Sequence, residues 1–181
     1  MFLFISCIHV VPTRWTETNF DRTISYNPIF SQLETQKEIL SALEIDSLMK
    51  KTSDVTYILA TDEKKLLFSS KFFNCRSYYL QSDTLTINIG IGNGFGGNGF
   101  IIHYDNNKFY TEPYFSTDVI IENEPKPIFD IHEQKLTLNK SKFNVGDSIY
   151  GNIYFHVTET KEGLKTEHFG EGYFRTKVKS F

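Results

Sequence analysis

Residues 148–178 read SIYGNIYFHVTETKEGLKTEHFGEGYFRTKV, two strand-like runs that meet at a short loop. Tyr, Phe, Val, Ile and Thr dominate both runs, and aromatic and β-branched side chains fit the pleated surface of a sheet. Between the runs, Lys161-Glu162-Gly163 suits a three-residue hairpin loop in which the glycine takes the left-handed position. We therefore predict an antiparallel hairpin of Ser148–Thr158 with Leu164–Val178, and a fold built from such pairs.

The length of this loop fixes which residues face each other in the hairpin. With three loop residues, Thr160 lies opposite Leu164 and His156 lies opposite His168. Opposite residues of an antiparallel pair have Cβ atoms about 5 Å apart, so two imidazoles there could share one ion. His156 and His168 are therefore the candidate metal ligands, although catalytic zinc usually has a third protein ligand that the sequence does not place. The alternative is a pair of exposed sheet histidines that bind no ion.

A second unusual stretch, Gly90–Gly99, reads GIGNGFGGNG and holds six glycines in ten residues. It contains the pattern G-x-G-x-x-G twice. That pattern binds a pyrophosphate only where a strand precedes it and a helix N-terminus follows it. Here Phe100–Tyr104 follows, which is strand-like. We therefore predict a backbone role for the glycines, which permit bulges and close strand approach, and no nucleotide site.

One amphipathic helix is predicted near the N-terminus. Ser31 and Glu34 have the spacing of a capping box, in which each side chain bonds the backbone amide near the other. A loose apolar stripe follows, made of Leu33, Ile39, Leu40, Leu43 and Leu48. The helix is expected to end near Lys51.

The remaining sequence reads as strands and turns. Leu85–Ile91 alternates apolar with polar residues or glycine, and Asp105-Asn106-Asn107 predicts a tight turn. Residues 128–139 read as two short strands. We predict an α+β fold that is mainly antiparallel β, as a β-sandwich-like sheet with one N-terminal amphipathic helix. Residues 1–30 are interpreted as a signal remnant or leader segment, and residues 31–181 as a single domain.

Composition and charge narrow the function classes. The net charge is −3 and no Lys/Arg stripe is present, which argues against nucleic-acid binding. Cys7 and Cys75 are too few for a disulfide framework, and Cys75 lacks a catalytic signature, so we predict that it is a small core residue. Asp118, Glu122 and Glu124 are interpreted as part of a solvent-exposed loop. No catalytic residue and no organic cofactor is predicted.

The segment Leu3-Phe4-Ile5-Ser6-Cys7 resembles the end of a bacterial lipoprotein signal. In such signals an apolar stretch and a small residue precede the cysteine that is lipidated, although Phe4 stands where Leu is usual. The resemblance implies lipidation of Cys7 and a protein held at a membrane surface of the cell envelope by its lipid alone. The alternative is an ordinary buried strand, Phe2–Val11, in a cytoplasmic protein.

A second resemblance concerns Leu136–Gly151. Its Lys140–Phe143 step and its Gly146-Asp147 turn resemble the first strands of immunoglobulin-like and macroglobulin-type β-sandwiches. Unrelated proteins share this pattern, so it bears on fold and not on activity.

These observations lead to three functional hypotheses. The first is a non-enzymatic cell-envelope module that binds a protein or glycan partner through exposed aromatic side chains. The second is a small metal-assisted hydrolase that uses His156 and His168. The third is a cytoplasmic interaction protein.

Overall fold

The computed structural model describes residues 14–36, 50–61, 65–68, 74–79, 83–92, 96–117 and 125–180. These residues form one α-helix, α1 (Pro28–Thr35), one 3-10 turn (Ile24–Tyr26) and eleven strands. The strands are β1 (Thr16–Glu17), β2 (Asn19–Phe20), β3 (Ser53–Thr61), β4 (Lys65–Phe68), β5 (Asn74–Tyr79), β6 (Leu85–Gly92), β7 (Gly96–Asp105), β8 (Lys108–Thr117), β9 (Ile128–Leu138), β10 (Ser148–Lys161) and β11 (Leu164–Lys179). The predicted α+β class, mainly β, is confirmed.

The strands follow the order β1-β8-β7-β6-β5-β11-β10-β9-β2, with β3 pairing to β11 and β4 pairing to β3. All pairs are antiparallel except β11 with β5 and β2 with β9. Strand β11 joins the β5–β8 half to the β9–β11 half, because it pairs with β10 along one edge and, at residues 178–179, with β5. Its residues 166–174 pair with β3. The long terminal hairpin is thus the structural centre of the sheet.

Both halves of the sheet contribute to one hydrophobic core. Phe100 of β7 and Phe155 of β10 meet with ring centroids 4.6 Å apart, and Tyr57 of β3 packs against both. Buried Gln134 of β9 also crosses between the halves, since its Oε1 accepts a hydrogen bond of 3.0 Å from the Thr111 amide of β8. The sandwich form of the sheet stays a prediction.

The terminal hairpin forms, but its loop has two residues instead of three. Glu162 and Gly163 take φ values of +52° and +80°, and Lys161 pairs with Leu164. Every pair is therefore shifted by one residue, so that His156 lies opposite Phe169 and Val157 lies opposite His168. The predicted pairing of His156 with His168 is wrong. A two-residue loop requires a positive φ at Glu162 as well as at Gly163. Glutamate seldom adopts a positive φ, so the sequence favoured the three-residue loop, in which only the glycine does.

The glycine run has the predicted backbone role. Gly90 of β6 lies directly opposite Gly99 of β7, and strand, not helix, continues after the run. Residues 93–95 lie outside the described residues. A Cβ at Gly99 would stand 2.3 Å from the Ile89 carbonyl oxygen and 2.5 Å from the Gly90 Cα. Only glycine permits so close an approach.

The predicted helix begins earlier than expected and is shorter where it is described. Asn27 is its N-cap, with Oδ1 accepting from the Ile29 amide at 3.0 Å, and Pro28 follows at the first helical position. The Ser31–Glu34 capping box is wrong, because Glu34 instead binds Lys50 and Arg175. Residues 37–49 lie outside the described residues, and Lys51 is not helical.

The other predictions have mixed outcomes. Asn106 and Asn107 form the expected turn between β7 and β8, with φ of 45° and 65°, and Cys75 is a buried core residue. Residues 128–138 form one bulged strand instead of two short ones. Cys7 and residues 118–124 lie outside the described residues. No helix in the described part of the chain is long and apolar enough to span a bilayer.

Candidate metal site

The candidate site lies on the outer face of β9, β10 and β11. Along β10, the odd-numbered residues 149–157 face the core, while the even-numbered residues 150–156 are only partly buried. His156 and Thr158 belong to this outer face, and β11 contributes Glu167 opposite Thr158. Strand alternation therefore places these three side chains together without any special loop.

A β-bulge brings a fourth residue, His132, to the same place. On β9, Glu133 pairs with His156 and Ile131 pairs with Val157, so His132 is the extra residue between them. A bulge interrupts the alternation of a strand and re-aims a side chain. As a result the rings of His132 and His156 lie side by side, with centroids 4.6 Å apart.

Hydrogen bonds from these residues converge on one carboxylate. The Nε2–H of His156 donates to Oε2 of Glu167 at 2.7 Å. The hydroxyl of Thr158 donates toward both Glu167 oxygens, at 3.0 and 2.9 Å, and accepts from His132 Nε2 at 2.6 Å. Phe169 stacks on the His156 ring, with centroids 4.3 Å apart and planes 18° apart. The cluster is therefore ordered by contacts on several sides.

The convergence changes the acidity of Glu167. Partial burial opposes ionisation of this carboxyl, but the hydrogen bonds from His156 and Thr158 outweigh it. The pKa of Glu167 is consequently below the usual 4.5. Because the pKa of Glu167 is lower in the folded protein than in the unfolded chain, the ionised carboxylate stabilises the fold above the unfolded pKa. This stabilisation is lost as the pH falls through the folded pKa.

We expect an NMR titration of the Glu167 side-chain carboxyl to show this shift directly. The midpoint should lie below 4.5 and should rise toward that value in Thr158→Ala and His156→Gln, since each removes or weakens a donor. His103→Gln should leave it unchanged, because His103 lies on β7 and stacks on Tyr110. An unshifted midpoint in the unaltered protein would contradict the network.

The same cluster has the donor atoms of a transition-metal site. One ligand atom each from His132, His156 and Glu167 lies within 4.8 Å of the other two. Two ligands about 2.05 Å from a tetrahedral zinc ion are about 3.3 Å apart, so small side-chain rotations would bring the three donors around one ion. Imidazole nitrogen with a single carboxylate suits zinc and its neighbours in the first transition row and not magnesium or calcium.

The structure separates the two histidines that the sequence paired. His168 lies on the core face, only 3% exposed, and both of its ring nitrogens are engaged. Its Nδ1 is 2.6 Å from the Tyr57 hydroxyl, and its Nε2 is 3.0 Å from Glu159. Sequence reasoning missed His132 and Glu167. The correct loop length would have revealed Glu167, whereas nothing in the sequence signals the bulge at His132.

No protein-family model, curated protein or solved structure matches the chain. The function is therefore inferred from the geometry alone.

Proposed function

We propose that this protein is a metal-binding β-module that holds one zinc ion on its outer sheet face through His132, His156 and Glu167. The observation that carries the proposal is the convergence of three donor atoms, from three adjacent strands, within 4.8 Å. The lowered pKa of Glu167 keeps its carboxylate ionised near neutral pH, and a carboxylate beside two imidazole nitrogens is a donor set that zinc accepts.

The surroundings of the three donors support the same role. Thr158, bonded to both His132 and Glu167, would remain as an outer partner that orients the carboxylate. Phe169 limits rotation of the His156 ring by stacking on it. Zinc bound at Nε2 would require each ring to carry its proton on Nδ1, and protons compete with zinc for the ligand atoms, so the affinity should fall as the pH is lowered.

A zinc titration of chelator-stripped protein by calorimetry tests the proposal. We expect one ion per chain with a dissociation constant of order 1 μM, about −8 kcal/mol. His132→Gln and His156→Gln should each weaken binding by about 100-fold or more, since a ligand is lost while a polar side chain is kept. His103→Gln is the matched control and should bind as the unaltered protein does.

Two results would contradict this proposal. One is no saturable zinc binding to the unaltered protein. The other is an equal loss of affinity in the His103→Gln control, which would place the ion away from the β9–β11 face.

The number of ligands favours a second candidate function, metal-assisted hydrolysis. Catalytic zinc usually has three protein ligands and a water molecule, and this donor set leaves a fourth position for that water. An apolar depression of about 270 Å³ adjoins the site on the same face and shares Phe169 with it; its lining is Thr56, Ile58, Tyr154, Phe169, Gly170 and Glu171.

Hydrolysis of 4-nitrophenyl acetate tests this second candidate. Zinc-dependent release of 4-nitrophenol that is lost in His156→Gln would favour the hydrolase. Zinc binding without such turnover would favour the binding module.

Placement of the protein in the cell envelope is proposed from the Leu3–Cys7 resemblance alone. An intact mass of the native protein that includes a diacylglycerol increment on Cys7 would support it. An unmodified Cys7 would rule out the lipid anchor.

A further inference from the structure

A second depression, of about 480 Å³, lies on the same outer face at the opposite end of the strands. Its floor is a cross-strand row of Thr137, Asn152 and Tyr173, contributed by β9, β10 and β11. Its wall is the segment 21–27, which crosses this face before α1. The volume falls within the range of about 300–1,000 Å³ that is usual for small-molecule sites. We propose that this depression binds one residue of a neutral oligosaccharide.

The depression is held in shape by contacts on both sides. The Asp21 amide donates to the Leu138 carbonyl at 2.9 Å, and the Asp21 carboxylate accepts from the amide and hydroxyl of Thr23 at 2.8 and 2.6 Å. On the floor, the Tyr173 ring packs edge-on against Phe30, with centroids 6.0 Å apart. A site formed in advance loses little conformational entropy when a ligand binds.

Its lining matches both surfaces of a sugar ring. Tyr26 is 83% exposed, so its ring can offer an apolar face to the C–H groups of a sugar, and Tyr173 adds a second aromatic ring to the lining. The side-chain Nδ2 of Asn152 donates to the Gly172 carbonyl at 3.0 Å, which leaves the amide oxygen to accept from a sugar hydroxyl. The hydroxyl of Thr137 can donate or accept. Aromatic faces combined with a few fixed polar groups are what a hydroxyl-rich ring requires.

The charge of the lining selects a neutral ligand. Asp21 is the one charged residue among the described lining residues. Hydrogen bonds from Thr23 lower the pKa of Asp21, so it carries its negative charge near neutral pH. A sugar acid, a sugar phosphate or a nucleotide would meet a like charge and no cation in this lining. A neutral sugar avoids that repulsion and can donate hydroxyl hydrogens to the carboxylate.

Binding of cellotriose, maltotriose and triacetylchitotriose to the unaltered protein, measured by calorimetry with a chelator present, tests the proposal. The chelator makes the result independent of the metal site. We expect saturable binding of at least one of these neutral trisaccharides, with a dissociation constant of order 1 mM. Trigalacturonate, which is anionic, should bind at least about tenfold more weakly.

Paired variants locate the binding. Tyr26→Ala removes an exposed ring and should weaken binding at least about tenfold without changing the melting temperature. The matched control is Phe115→Ala, which removes a ring on β8 that is 77% exposed and should bind as the unaltered protein does. Three results would overturn the proposal: no saturable binding of any of the three at about 10 mM, equal effects of the two variants, or preferred binding of trigalacturonate.

Discussion

Replacing Gly99 with alanine is expected to lower the free energy of unfolding by at least about 3 kcal/mol. An alanine Cβ would stand 2.3 Å from the Ile89 carbonyl oxygen and 2.5 Å from the Gly90 Cα, and both are backbone atoms of the paired strand. Backbone atoms in the middle of a sheet cannot move aside as the end of a flexible side chain can. Strands β6 and β7 would have to separate at the Gly90–Gly99 pair. The loss is a large fraction of the roughly 5–15 kcal/mol that stabilises a typical domain.

Urea unfolding, followed by tryptophan and tyrosine fluorescence, measures this loss. Gly146→Ala is the matched control because Gly146 also has a positive φ, +95°, while a Cβ added there would have nothing within 4 Å. It should cost only about 1 kcal/mol, from backbone strain alone. Equal losses in the two variants would show that conformation, and not close strand approach, explains the glycine run.

Replacing His168 with leucine is expected to cost about 3 kcal/mol, although the same change at His156 should cost less than about 1 kcal/mol. His168 is buried between the Tyr57 hydroxyl and the Glu159 carboxylate and bonds to both. Burial raises the pKa of Tyr57 well above its usual value, so the phenol keeps its proton and donates it to His168 Nδ1. Leucine would remove both of these bonds from a low-dielectric interior.

His156 differs because its side chain is 29% exposed on the outer face, where water can replace its bond to Glu167. Zinc binding should show the reverse order: His156→Leu abolishes it, and His168→Leu, in the fraction that remains folded, retains it. This crossover distinguishes the observed register from one in which the two histidines face each other. Equal stability losses, combined with loss of zinc binding in both variants, would contradict the structure.

The strands were predictable because their composition and alternation carry the signal locally. Leu85, Ile87 and Ile89 are buried as the Leu85–Ile91 alternation indicates, although Thr86 between them is buried too and Ile91 is only partly buried. The α-helix start was also encoded, since Asn27-Pro28 combines an N-cap residue with the proline that favours the first helical position. The Ser31–Glu34 spacing matched the capping-box pattern equally well and misplaced the start by a few residues.

The candidate site was harder to predict because it depends on two local backbone conformations that the residue pattern does not signal. Glu162 adopts a positive φ, which shortens the hairpin loop and turns His168 toward the core. The bulge at His132 then brings to the cluster a candidate ligand that strand alternation alone would direct to the other face. His156 is half-buried on the outer face, and its neighbours there follow from pairing between strands that are distant in sequence.

The most direct test of the metal site is anomalous diffraction from crystals grown with zinc, recorded on both sides of the zinc absorption edge. The proposed site predicts one anomalous peak about 2 Å from His132 Nε2, from His156 Nε2 and from a carboxylate oxygen of Glu167. A peak found only elsewhere, such as beside His103, or no peak from crystals that contain zinc, would contradict it.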